Sequence, residues 1–182
     1  MTKVYFKEEQ QIMKPWHWFF IIPIWLVTII SFSIGFYQQF VLGIPWGDKP
    51  MTDTGLLFTG IFVLSILIAL TLLFFTMKLI VEVRGKGIRY RYPPVIRRYR
   101  SIQKELINRF EVRKYKPIIQ YGGWGIRVKG RRMKRRNWGI AYSVSGNIGM
   151  QLYLKDGKKV LFGTQRSEAF ERAVVKMMRK EE

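Results

Sequence analysis

Two long apolar blocks interrupt an otherwise polar chain. Trp16 to Tyr37 runs 22 residues without an Asp, Glu, Lys or Arg, and Gly55 to Met77 runs another 23. As helices rising about 1.5 Å per residue they reach about 33 and 34 Å, enough to cross the hydrocarbon core of a bilayer. The pattern therefore predicts a cytosolic tail at 1–15, membrane helices at 16–41 and 55–77, and an external loop at 42–54. Internal Ser and Thr can bond to their own helical carbonyls, and membrane helices tolerate Pro23. Trp16, Trp18, Tyr37 and Trp46 are read as interface anchors, because amphipathic rings favour the headgroup level. Gly35 and Gly60 suit either close helix packing or simple lipid contact. A cleaved signal peptide fits poorly: the first block exceeds the roughly 7–15 apolar residues of such a peptide, and no small-residue cleavage site follows.

From residue 78 the hydrophobic period drops to two. "LIVEVRGKGIRYRY" reads as two strands reversing near Gly85 and Gly87. Pro93 and Pro94 cannot donate to a ladder, so "PPVIRRYR" is expected to be a loop or an irregular edge. The end of "IQKELINRFEVRKY", then "GWGIRV", "WGIAYSV", "GMQLYLK" and "KVLFGT", are strand candidates, with Asp156-Gly157 the clearest hairpin turn. Gly122, Gly123 and Gly125 are expected to let strands bend beside a buried Trp124; the competing reading is a recognition loop built around that Trp. The chain then changes period again. Phe170, Ala173, Val174, Met177 and Met178 recur at helical spacing after a capping Ser167, giving a stripe that would cover an open sheet.

"EVRKYKPIIQYGGWGIRV" at 111–128 and "WGIAYSVSGNIGMQLYLKDGKKVLFGTQ" at 138–165, followed by the terminal helix, resemble bacterial pleckstrin-homology-like domains carried on short membrane hairpins. The resemblance covers about residues 78–182 and rests on the ordered Gly-Gly-Trp-Gly, Asp-Gly and Gly-Thr-Gln landmarks. It implies an all-β domain of two bent antiparallel sheets, a partly open barrel capped by a C-terminal α-helix, in a protein of the bacterial cytoplasmic membrane. It does not imply phosphoinositide binding.

Charge sharpens the picture. The chain holds 32 Lys and Arg against 12 Asp and Glu, and residues 81–182 alone carry 27 basic and eight acidic side chains. Lys3, Lys7 and Lys14 precede the first block and Lys78, Arg84, Lys86 and Arg89 follow the second, whereas the connector has only Lys49. Positive-inside bias thus places both flanks in the cytosol. The densest cluster is Lys129, Arg131, Arg132, Lys134, Arg135 and Arg136, between two predicted strands. Near a bilayer each such residue contributes about 1 kcal/mol of attraction to acidic lipid. Three readings stay open: a solvated or topogenic face, contact with acidic phospholipid, and recognition of nucleic acid or an acidic protein.

Little points to catalysis. There is no Cys, which excludes disulfides and thiolate chemistry, and the single His, His17, lies between two Trp at a predicted interface. Glu105 and Glu111 share no evident cleft, and Ser143 and Ser145 have no His near them in sequence. No catalytic residue, metal site or cofactor is assigned. The sequence reads as a membrane-anchored, non-catalytic interaction or scaffold protein, its partners the bilayer and its acidic phospholipids plus an unidentified protein, with nucleic acid ranked behind them.

Overall fold

A computed structural model describes residues 3–129 and 139–179, arranged as two compact units. One comprises residues 13–76; the other joins residues 1–12 to residues 77–182.

The first unit is a helical hairpin. Helix α1 covers Trp18–Phe36, preceded by a single tight turn at Pro15–His17 and extended by a wider helical turn at Tyr37–Val41; α2 covers Asp53–Thr76. Continuous helix therefore runs over Pro15–Val41 and Asp53–Thr76, and both stretches are long and apolar enough to cross a membrane. Their apolar residues are not gathered on one stripe, and most stay uncovered: Phe19, Val27 and Phe58 are each at least 65% exposed. The core helix of a water-soluble protein would bury such residues. Gly60 lets the Phe36 ring approach so closely that a Cβ there would lie 2.8 Å from its Cζ, and Gly35 does the same for the Trp46 ring. Trp25 Nε1 donates to Thr71 Oγ1 at 3.2 Å, linking the helices midway, while Gln39 Nε2 donates to Asp53 Oδ1 at 2.7 Å near the connector.

The second unit holds two sheets. Strands β1 (Val4–Gln11), β2 (Lys78–Arg84), β3 (Gly87–Tyr92) and β4 (Ile96–Gln103) form an antiparallel sheet in that order. Strands β5 (Ile107–Lys114), β6 (Gly125–Lys129), β7 (Gly139–Ser143), β8 (Ile148–Leu154) and β9 (Lys159–Gly163) form another, ordered β5-β8-β9-β7-β6. A short helix α3 (Pro117–Tyr121) follows β5, and helix α4 (Ser167–Arg179) ends the described chain. The main core joins the inward faces of both sheets to α4: Val81, Val83, Ile88 and Tyr92 meet Met150, Leu152 and Phe162, under Phe170, Val174 and Met177.

The structure departs from several expectations. The sheets are not closed into a barrel, and they are not wholly antiparallel, because β9 inserts between β8 and β7 and runs parallel to β7. Residues 4–11, expected to be tail, pair with β2 as β1: Phe6, Glu8 and Gln10 point inward, and Phe6 stacks on Phe170 with ring centroids 4.9 Å apart. "PPVIRRYR" combines the expected features: its prolines lie in the turn after β3, and from Ile96 it forms β4, the edge strand of the four-stranded sheet, with a register shift between Tyr90 and Tyr92 in its pairing to β3. Met178, counted in the apolar stripe of α4, is 36% exposed; Phe170, Ala173, Val174 and Met177 alone make the buried face.

Candidate functional site

The basic cluster follows β6 in the chain. β6 and β7 run antiparallel from Gly125↔Ser143 to Lys129↔Gly139. Lys129 closes β6; Arg131, Arg132, Lys134, Arg135 and Arg136 lie outside the described residues.

The "YGGWG" unit is built by α3. Pro117 opens that helix and Gly122 ends it in the left-handed region at φ 73°, with Gly122 N donating to Ile118 O and Gly123 N to Pro117 O. Gly123 and Gly125 also have positive φ, which glycine adopts freely; Gly122 ends a helix where a bend between strands was expected. Trp124 is not in the core: it is 43% exposed, held from one edge by Nε1 donating to the Gly146 carbonyl at 2.9 Å. The outer face of the five-stranded sheet is covered instead by Tyr115 and Tyr121, over Ala141 and Leu161. Burial pushes the hydroxyl pKa of both tyrosines up.

Asp156-Gly157 forms the β8–β9 turn. Gly157 takes φ 84° and donates to Leu154 O, while Asp156 Oδ1 accepts from Lys158 N at 3.0 Å. Hydrogen bonding to Lys158 holds the Asp156 carboxyl below its usual range. Among the expected interface anchors, Trp16, Trp18 and Tyr37 are exposed near the ends of the first apolar helix, but Trp46 folds back onto Gly35 and lies near Phe32. A small residue in α1 facing a large ring in the connector explains the difference.

Two polar constructions have no counterpart in the sequence reading. One fixes β1. Glu8, 7% exposed, accepts from Thr164 Oγ1 at 2.6 Å on one oxygen, and from Gln165 N at 2.9 Å and Gln10 Nε2 at 3.0 Å on the other. Gln10 Nε2 also donates to Gly163 O. The Gly-Thr-Gln landmark is therefore the clamp holding the first strand against the end of β9 and the start of α4. The signal that could have found it was the alternation of "VYFKEEQQ", whose inward positions are Phe6, Glu8 and Gln10.

The other lies on the outer face of the four-stranded sheet. Glu82, 4% exposed, accepts from Arg84 Nε at 3.0 Å and Nη2 at 2.7 Å on one oxygen and from the Tyr99 hydroxyl at 3.2 Å on the other, with Lys7 Nζ 4.0 Å away. Burial alone would raise the Glu82 carboxyl, but the Arg84 hydrogen bond and charge, aided by Tyr99 and Lys7, outweigh it and hold the pKa below the ordinary value. Arg89 and Arg91 lie over the Tyr99 ring, their guanidinium carbons 4.8 and 4.7 Å from its centroid. Burial, the Glu82 charge and the Glu82 hydrogen bond push the Tyr99 hydroxyl up, against the pull of these two arginines.

No protein-family model matches the chain, and no curated protein or solved structure matches it. The functional reading rests on the chain's own geometry.

Proposed function

We propose that this chain is a membrane-anchored, non-catalytic interaction or scaffold protein, whose sheet unit is presented at the cytosolic face of a bilayer by a two-helix hairpin. The observation that carries the reading is the pairing of β1 with β2. One strand precedes the first apolar helix, the other follows the second, and they match from Gln11↔Lys78 to Phe6↔Val83. Ile12 N adds a bond to Met77 O at 3.2 Å, so the chain leaves the sheet unit and returns to it at one place. Paired strands cannot lie on opposite sides of a membrane, so helices that cross must cross an even number of times. Lysine and arginine flanks then favour the cytosol for the paired side.

The sheet unit is read as pleckstrin-homology-like on the strength of the sequence landmarks and of two sheets carrying a C-terminal helix; the parallel β7–β9 pair departs from the all-antiparallel arrangement expected. The 129–136 cluster would turn one face toward acidic phospholipid and leave another for a protein partner.

The test uses the full chain in lipid nanodiscs. It has no Cys, so a fluorophore on Lys155→Cys is unique, and energy transfer to acceptor-labelled lipid reports how close the β8–β9 turn lies to the bilayer. Adding phosphatidylglycerol to neutral lipid should change the transfer. Neutralising the six basic residues, or raising salt, should abolish the change. A response unaltered by neutralisation would rule out the loop as the lipid contact.

A further inference from the structure

The outer face of the four-stranded sheet is hollow at one point. Cross-strand neighbours there are Arg84, Gly87 and Gln103 in one row, and Glu82, Arg89 and Ser101 in the next. Gly87 has no side chain and Ser101 a short one, while the residues around them are long. The result is a cavity of about 360 Å³ lined by Arg84, Lys86, Arg89, Tyr99, Ser101 and Gln103. It is in the size range of small-ligand sites and larger than a bare phosphate needs.

We propose that this cavity binds a phosphomonoester. The charge fits: Glu82 takes two guanidinium nitrogens of Arg84, and among the described residues neither Lys86 nor Arg89 has a carboxylate partner. Two uncompensated cations remain, matching the charge of roughly −1.5 to −2 that a monoester carries near neutrality, where a diester carries only one. The geometry fits as well. Arg89 is held in place by stacking on Tyr99, whose hydroxyl is tied to Glu82, so its fork need not be ordered when a ligand arrives. Ser101 and Gln103 add neutral donors from β4 to the wall. Glu82 is engaged on both oxygens and buried, which limits its repulsion of an anion. None of these residues belongs to the 129–136 cluster, so the proposal stands or falls apart from that loop.

The ligand could be a lipid headgroup or a soluble ester, and one experiment separates them. Full chain in phosphatidylcholine nanodiscs is titrated calorimetrically with glycerol 3-phosphate at physiological salt. Saturable binding is expected, weakened about tenfold by Lys86→Gln or Arg89→Gln, the loss typical of one charged hydrogen bond, and unchanged when residues 129–136 are neutralised. Lys86 is exposed and, among the described residues, its side chain makes no hydrogen bond or ion pair, so its variant separates binding from folding. Repeating the titration with phosphatidic acid in the disc, against phosphatidylglycerol at equal surface charge, assigns the source. Competition by phosphatidic acid alone assigns the lipid, and equal binding in both assigns a soluble ester. No saturable binding in phosphatidylcholine discs, or binding unaffected by both variants, would overturn the proposal.

Discussion

At Glu82 a carboxylate is buried on a sheet face because three donors meet it there, two guanidinium nitrogens of Arg84 and the hydroxyl of Tyr99. Removing its charge leaves Arg84 without its ion-pair partner, so Glu82→Gln should cost roughly 1.5–3 kcal/mol of sheet-unit stability, measured by denaturation of the full chain in detergent. The sign of the pH dependence follows from the lowered pKa. The stabilisation is complete above the unfolded value near 4.5 and is lost as pH falls below it toward the folded value, so acidification should destabilise the parent more steeply than the variant. Tyr92 gives the alkaline counterpart. Burial pushes its hydroxyl up to about 12, so stability present below pH 10 should fall between pH 10 and 12, and Tyr92→Phe should reduce that slope. None of this could be read from the sequence, where Glu82, Arg84 and Tyr99 are three polar residues among many. Their meeting depends on strand register, set by packing on the opposite face.

At the scale of elements, what could be read followed from period and punctuation. The stripe of α4, the reversal at Gly85 and Gly87, and the Asp156-Gly157 turn were all legible, because each is a local pattern with one cheap backbone solution. Helix α3 was missed although "KPIIQYGG" carries Pro at the first helical position and Gly just past the last; five residues are too few to show a period. β1 was missed because "KEEQQ" looks solvated, and besides the local Gln10 the donors that make an inward Glu8 tolerable are Thr164 and Gln165, more than 150 residues on. Parallel pairing of β7 with β9 is likewise non-local. Two predictions belong here. Deleting residues 3–11 removes Phe6 from Phe170 and Glu8 from Thr164, which should destabilise the sheet unit by several kcal/mol, seen as faster amide exchange in α4 and β9. Gly60→Leu should separate the two apolar helices, since even a methyl there meets the Phe36 ring; a lower thermal midpoint in detergent would report it.

Across the whole molecule, charge and apolarity are divided along the chain. Nearly all the net charge lies after residue 80, and the uncovered apolar surface is concentrated in residues 13–76. That division was plain in the sequence, where two uncharged runs bracket one nearly neutral connector. The sequence offered only charge bias for the proposal that both flanks share a side; β1 pairing with β2 is an independent argument for the same reading. The pairing itself is testable, since Gln11→Cys with Lys78→Cys joins register partners and should form a disulfide in native membranes with little loss of fold. The most direct measurement is the reaction of single cysteines with a membrane-impermeant maleimide in intact cells. Asp48→Cys in the connector should react from outside, while Lys3→Cys and Lys155→Cys should react only after permeabilisation. Reaction of Lys3→Cys and Lys155→Cys from opposite sides of the membrane would contradict the account.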